Sequence, residues 1–210
     1  MIPSPAALDR LREGNRRFAE DLPSQSGLSG AAKRSQLLAG QQPFAIILGC
    51  SDSRVPAELV FDQGLGDLFV IRVAGNIVAP SQIGSIEYAA EVTGARLVVV
   101  MGHSNCGAIE ATINELQRPQ ANRSRNLSSI VNRIRPPVET LLETGLSQDR
   151  AALIRFAVRS NIRASVDHLR HGSEILERLI DKEGLCVVGA EYSLETGLVE
   201  FFDGLPKMLE

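Results

Sequence analysis

The first pattern along the chain is helical. Leu8, Leu11, Phe18 and Leu22 recur at near-helical spacing through a strongly charged segment, which predicts an amphipathic helix that needs a surface to lie on. Ser4 is expected as its N-cap, with Pro5 at the first helical position, where a missing N–H costs nothing. A mostly polar break rich in serine and glycine follows from Pro23 to Gly30, then a second short helix over Ala31–Leu38. The pattern then changes. Pro43–Gly49, Leu68–Val73 and Ala95–Met101 are continuous apolar runs bounded by turn residues, as expected of strands buried on both faces. Leu185–Tyr192 makes a fourth, and Leu198–Phe202 a fifth after the Glu195-Thr196-Gly197 turn. Helical patterns separate most of them, over roughly Ser81–Val92, Cys106–Leu116, Leu127–Leu142, Arg150–Leu169 and Ser173–Asp181.

This alternation predicts an α/β fold: a mostly parallel central sheet of four strands plus an antiparallel edge strand, flanked by helices. The 210 residues make a single domain over 1–210, with an N-terminal helical arm over 1–40. No repeat, low-complexity tract or long linker divides it. Composition adds little, with 44% hydrophobic and 22% charged residues. A net charge of -3 gives no case for nucleic acid or an anionic membrane as partner. Arg118, Arg123, Arg125, Arg133 and Arg135 lie without acids between them, but no aromatic residues interleave to stack on bases. No apolar run reaches the roughly 18 residues of a membrane span, and Met1–Leu22 lacks a signal-peptide core. The default location is therefore cytoplasmic, although a chain whose leader had been removed would read the same way. Three cysteines suit no disulfide framework. Cys186, within an apolar strand, reads as a small core hydrophobe.

Candidate chemistry lies at two strand exits. Cys50 follows the first strand in Cys50-Ser51-Asp52-Ser53-Arg54, and His103-Ser104-Asn105-Cys106-Gly107 follows the third. Ligands of open α/β sheets bind beyond the carboxyl ends of the strands, so the two segments deliver Cys50, His103 and Cys106 to one edge. Two thiolates and an imidazole select zinc over magnesium or calcium, and three protein ligands with one labile position are the catalytic arrangement. A helix beginning near Cys106 should favour its thiolate. Asp52 is a candidate fourth metal ligand, and Arg54 is placed to pull that carboxylate away. Zinc lowers the pKa of bound water towards about 7. Two thiolates oppose that shift, and Asp52 paired with Arg54 could compensate by accepting a hydrogen bond from the bound hydroxide. Gly64-Leu65-Gly66 is no dinucleotide fingerprint, and His168 and His171 read as ordinary helix-end residues.

These two motifs, supported by Arg72-Val73-Ala74-Gly75-Asn76, Tyr88 and the segment from Gly189 to Gly197, resemble those of the β-class carbonic anhydrases from about Leu8 to Phe202. The resemblance implies one zinc per subunit on Cys50, His103 and Cys106, and reversible hydration of CO₂ to bicarbonate and a proton by zinc-hydroxide attack. Carbonic anhydrase is itself the standard example of a metal that turns bound water into a nucleophile at neutral pH. The resemblance also implies a homodimer or homotetramer with active sites at subunit interfaces, and the 1–40 arm packing on the partner. Gln41 would donate to substrate oxygen; Phe69, Ala74 and Tyr88 would line a narrow cleft, the partner chain being their expected source; Gly107 would leave room near the metal. In the family Asp52 either pairs with Arg54 or closes the zinc shell, and proton release on opening makes higher pH favour the active state. A bicarbonate-inhibited branch carries tryptophan where this chain has Ile47. Arg72 and Tyr192 match that branch's other two anion contacts, but the set is incomplete, so strong bicarbonate inhibition is not expected. Relatives that hydrolyse CS₂ or COS on the same scaffold are one alternative. A structural zinc module permanently closed by Asp52 is another, which Arg54 disfavours.

Overall fold

The computed structural model describes residues 2–22, 30–118 and 124–205; Arg123 and most of the polar break lie outside them. Among the described residues, β1 (Ala45–Gly49), β2 (Leu68–Arg72), β3 (Leu97–His103), β4 (Cys186–Tyr192) and β5 (Val199–Asp203) form one sheet in the order β2-β1-β3-β4-β5. The first four are parallel, and β5 runs antiparallel to β4 at the edge. Every residue of β1 and β3 is buried, the physical origin of their unbroken apolar runs. Ile46, Leu48, Val98 and Val100 face one core, while Ala45, Ile47, Val99 and Met101 face the other.

The first core is closed by α4 (Pro80–Tyr88), α5 (Gly107–Gln117), α6 (Arg125–Leu142), α7 (Arg150–His171) and α8 (Glu174–Glu183). The second is closed by α1 (Ser4–Ala19) and by α3 (Ala57–Val60), a helix too short to leave a period in the sequence. Helix α4 ends earlier than its pattern predicts. A π-turn takes over Ala89–Thr93 before Gly94 at φ 75°, and the Thr93 hydroxyl donates to the Ala89 carbonyl at 2.6 Å. Cys186 is only partly buried, with the Ser4 hydroxyl 3.2 Å from its sulfur. No described helix is long and apolar enough to cross a membrane.

The N-terminal segment departs from expectation at its cap. Ser4 is the first helical residue rather than the cap, because its hydroxyl is committed to the Gly184 carbonyl at 3.1 Å. Within the single chain, Ala7, Leu8 and Leu11 of α1 are buried. Polar bonds fix the register. The Asn15 amide donates to the carbonyls of Val60 (3.1 Å) and Gly197 (2.8 Å), and Arg17 meets Asp62 at 2.6 Å. The helix lies so close that a Cβ on Gly14 would stand 1.9 Å from the Phe61 carbonyl oxygen. Among the described residues of the 1–40 arm, α2 (Ala31–Gln36) and the turn Leu37–Ala39 hold no buried residue.

Gly14→Ala should therefore lower stability by about 1–3 kcal/mol through overpacking, read from urea unfolding. The loss should not vary with protein concentration. A loss that grows on dilution would instead place α1 on a second copy.

Candidate metal centre

Strand register builds the site. β1 and β3 are neighbours with Gly49 opposite Met101, so Cys50, one residue past β1, and His103, the last residue of β3, emerge side by side. Asn105 turns the chain at φ 55°, and Cys106 becomes the N-cap of α5. The connecting loop is anchored where Ser104 N–H donates to the Tyr192 carbonyl and Leu194 N–H to the Ser104 hydroxyl, each at 3.0 Å. The sulfurs of Cys50 and Cys106 and a ring nitrogen of His103 lie within 4.8 Å of one another, and all three residues are buried. In a tetrahedral site with Zn–S near 2.3 Å the sulfurs would stand about 3.8 Å apart, a separation compatible with that bound.

The donor chemistry fits a metal. The Nδ1–H of His103 donates to the Ser104 carbonyl at 2.9 Å, which leaves the Nε2 lone pair free. That Nε2 is buried without a hydrogen-bond partner among the described residues. The thiols are equally incomplete. The hydrogen bond with Cys106 pushes Cys50 down to about 4 against the opposing effect of burial, with further help from His103 and the N–H groups of Asp52 and Gly75. The same bond, with burial, pushes Cys106 far up; the N–H groups of Ala108 and Ile109 at the start of α5 pull the other way and lose. The helix start thus acts in the expected direction, but the neighbouring thiolate outweighs it. The two neighbouring sulfurs are thus pushed in opposite directions.

Around this set the loops are tied by arginines. Arg54 grips the Asp52 carboxylate through Nε (2.9 Å), a terminal nitrogen (2.7 Å) and its own backbone N–H (3.0 Å), holding it well below the usual carboxylate range. Asp52 Oδ2 stands 3.9 Å from His103 Nε2. Arg54 also reaches the Asn105 carbonyl at 3.4 Å, linking the two loops. Arg72 donates to the carbonyls of Cys50 (3.0 Å) and Asp52 (2.6 Å). One contact had no signal in spacing: Gly75 N–H points at Cys50 Sγ at 3.4 Å, from a turn, Ala74–Asn76, that needs φ 70° at Gly75.

The fold therefore brings together Cys50, Asp52, Arg54, His103 and Cys106, with Gly107 next to Cys106 in the chain and Ala74 next to Gly75, whose N–H meets Cys50. Nothing lies within 4 Å of a Cβ built on Gly107. Gln41, Phe69 and Tyr88 stand elsewhere. Gln41 is exposed ahead of β1, at the sheet's other end, and Phe69 pairs with Ile46, about four strand residues, roughly 13 Å, from the cluster's end. The ring of Tyr88 lies 6.2 Å from that of Phe69.

A parallel α/β sheet with two cysteines and a histidine buried at its strand ends has the makings of a metalloenzyme centre. Residues 45–199 match the family model described as carbonic anhydrase. The chain is 39% identical to carbonic anhydrase 2 of Mycobacterium tuberculosis, across 91% of this chain and 89% of that protein. It is 36% identical to a carbonic anhydrase of Mycolicibacterium smegmatis, across 93% and 91%. Among solved structures, the β-carbonic anhydrase CcaA superposes with a TM-score of 0.72 at 29% identity, covering 94% of this chain and 95% of that one. The chain belongs to the β-class carbonic anhydrases and is an enzyme of that lyase family.

Because Cys106 keeps its proton until a cation displaces it, zinc affinity should rise about tenfold per pH unit between pH 7 and 8.5, measured by chelator competition. Cys106→Ser should abolish stoichiometric metal by elemental analysis. A flat affinity profile, or full metal content in that variant, would contradict this donor set.

Proposed function

We propose that this protein binds one zinc per subunit through Cys50 Sγ, His103 Nε2 and Cys106 Sγ, and uses it to interconvert CO₂ and bicarbonate. Family membership supports the reaction; the observation that carries the metal is the orphaned Nε2 beside two buried sulfurs. Zinc in such a site supplies Lewis acidity and brings the ionisation of a bound water towards neutrality. The chain's own residues do the rest. Asp52, held ionised by Arg54, is an acceptor at the mouth of the cluster and orients the water that attacks CO₂. Arg54 keeps that carboxylate off the metal, so the pair both gates and orients. Loss of Arg54's grip would let Asp52 fill the fourth position and exclude water.

Ala74 and Gly107 would border the substrate from the same chain. Gln41, Phe69 and Tyr88, displaced from their own cluster, would serve the site of a second copy in a homodimer or homotetramer. The Sordaria macrospora enzymes, 25% identical with a TM-score of 0.67 across 80% of this chain and 85% of theirs, are tetrameric β-carbonic anhydrases. An apolar cleft suits a small neutral substrate and disfavours retention of the charged product.

Asp52→Asn should keep its zinc and lose about 10²-fold in kcat/KM for CO₂ hydration by stopped flow. Lost metal, or unchanged turnover, would remove Asp52 from this role. Bicarbonate should inhibit only weakly and without cooperativity. Ile47 is fully buried in the core, and Arg72 spends Nε and a terminal nitrogen on backbone carbonyls. A sigmoidal bicarbonate response would overturn that expectation.

A further inference from the structure

The turn that points an N–H at Cys50 is an awkward piece of backbone. Gly75 has φ 70° and Asn76 φ 43°, so two consecutive residues occupy the left-handed region, one of them with a side chain. The Asn76 side-chain nitrogen is buried without a partner among the described residues. Such a turn persists only where its surroundings over-determine it, and it lies at an active site. Locally it has the Asn76 N–H bond to the Val73 carbonyl at 3.0 Å. Two further hydrogen bonds reach it from helix α7, more than eighty residues away. The buried Asn161 amide donates to the Gly75 carbonyl at 2.8 Å, and the buried Ser165 hydroxyl donates to the Asn76 carbonyl at 3.2 Å. Asn161 and Ser165 are four residues apart and so share one face of α7. Polar groups on an apolar helix face packed into the core need a reason, since each costs stability unless bonded. Here both bond to the carbonyls of consecutive residues in one turn.

Resting on the zinc reading above, we propose that Asn161 and Ser165 are positioning residues of the metal centre: their clamp on Gly75 and Asn76 holds the Gly75 N–H against Cys50 Sγ and so sets the donor strength of that thiolate. Neither touches a ligand atom; both act through the turn. A hydrogen bond to a coordinated thiolate withdraws electron density from sulfur, and partners one step beyond the ligands tune metals in this way. Releasing the clamp lets the N–H drift from the sulfur, which makes the thiolate more electron-rich and the site less organised.

The readout is the Co²⁺-loaded protein, whose sulfur-to-cobalt charge-transfer band reports thiolate donor strength, together with the zinc dissociation constant from chelator competition. Ser165→Ala deletes one hydroxyl and should fold. It is expected to move the band to lower energy and weaken zinc binding roughly 10- to 100-fold. Ser165→Thr, which keeps the hydroxyl, should return both values towards wild type. Asn161→Leu, similar in volume but without the donor, should move both in the same direction as Ser165→Ala. If Ser165→Ala leaves band and affinity at wild-type values, the clamp is packing alone and the inference fails, whatever the change in melting temperature. If the wild-type protein gives no thiolate-to-cobalt band, the zinc assignment itself fails.

Discussion

A single unsatisfied arrangement governs this molecule: two buried sulfurs close together, next to a buried imidazole nitrogen without a hydrogen-bond partner among the described residues. An interior polar atom left unpaired costs about 1–3 kcal/mol, and two thiolates this close repel each other. A divalent cation resolves both problems at once, because it accepts the lone pair and neutralises both sulfurs. The parallel pairing of β1 with β3 creates the arrangement. Slipping that register by one residue would turn every side chain of one strand to the other core and separate the donors. The apolar packing of the sheet and the polar chemistry at its end are therefore one constraint, since the strands that exclude water also aim the ligands.

The surrounding charges follow from it. Cys50, Cys106 and Asp52 gather acidic groups at one point, and Arg54 and Arg72 answer them in different ways. Arg54 binds a side chain, so it sets where a carboxylate stands. Arg72 binds the carbonyls of Cys50 and Asp52, so it sets where the loop stands. The guanidinium's fixed fork lets one residue hold two acceptors at once. A lysine at either position would supply charge without that geometry.

β1 and β3 were legible because burial on both faces leaves a continuous apolar run, whereas β2, read the same way, is an edge strand that is mostly only partly buried; Cys50, His103 and Cys106 were legible because strand exits are where such sheets bind ligands. Other features left no trace in spacing. The stripe of Leu8 and Leu11 announces a covered face without saying whose surface covers it; within the single chain both residues are buried. Ser4 has the composition of a cap, yet a carbonyl 180 residues away takes its hydroxyl. The Gly75 contact to Cys50 and the Asn161 bond to Gly75 arise from tertiary approach, which local periodicity does not encode. Phe69 and Tyr88 could be named from resemblance, but their distance from the cluster is a property of the folded sheet.

That distance bears on how the enzyme is assembled. A site at one end of the sheet whose expected substrate contacts include Gln41 and Phe69 near the other cannot be completed within one chain without breaking β1 or β2. Tyr88 and Val92 lie on one helical segment with about half or more of their surface in solvent, and Leu38 is almost fully exposed. On the proposed reading, a second copy laid across these residues would cover apolar surface and bring a cleft wall to each metal centre in the same step. Assembly and activity would then share a cause: the energy that holds two copies together would come in part from the groups that surround the substrate.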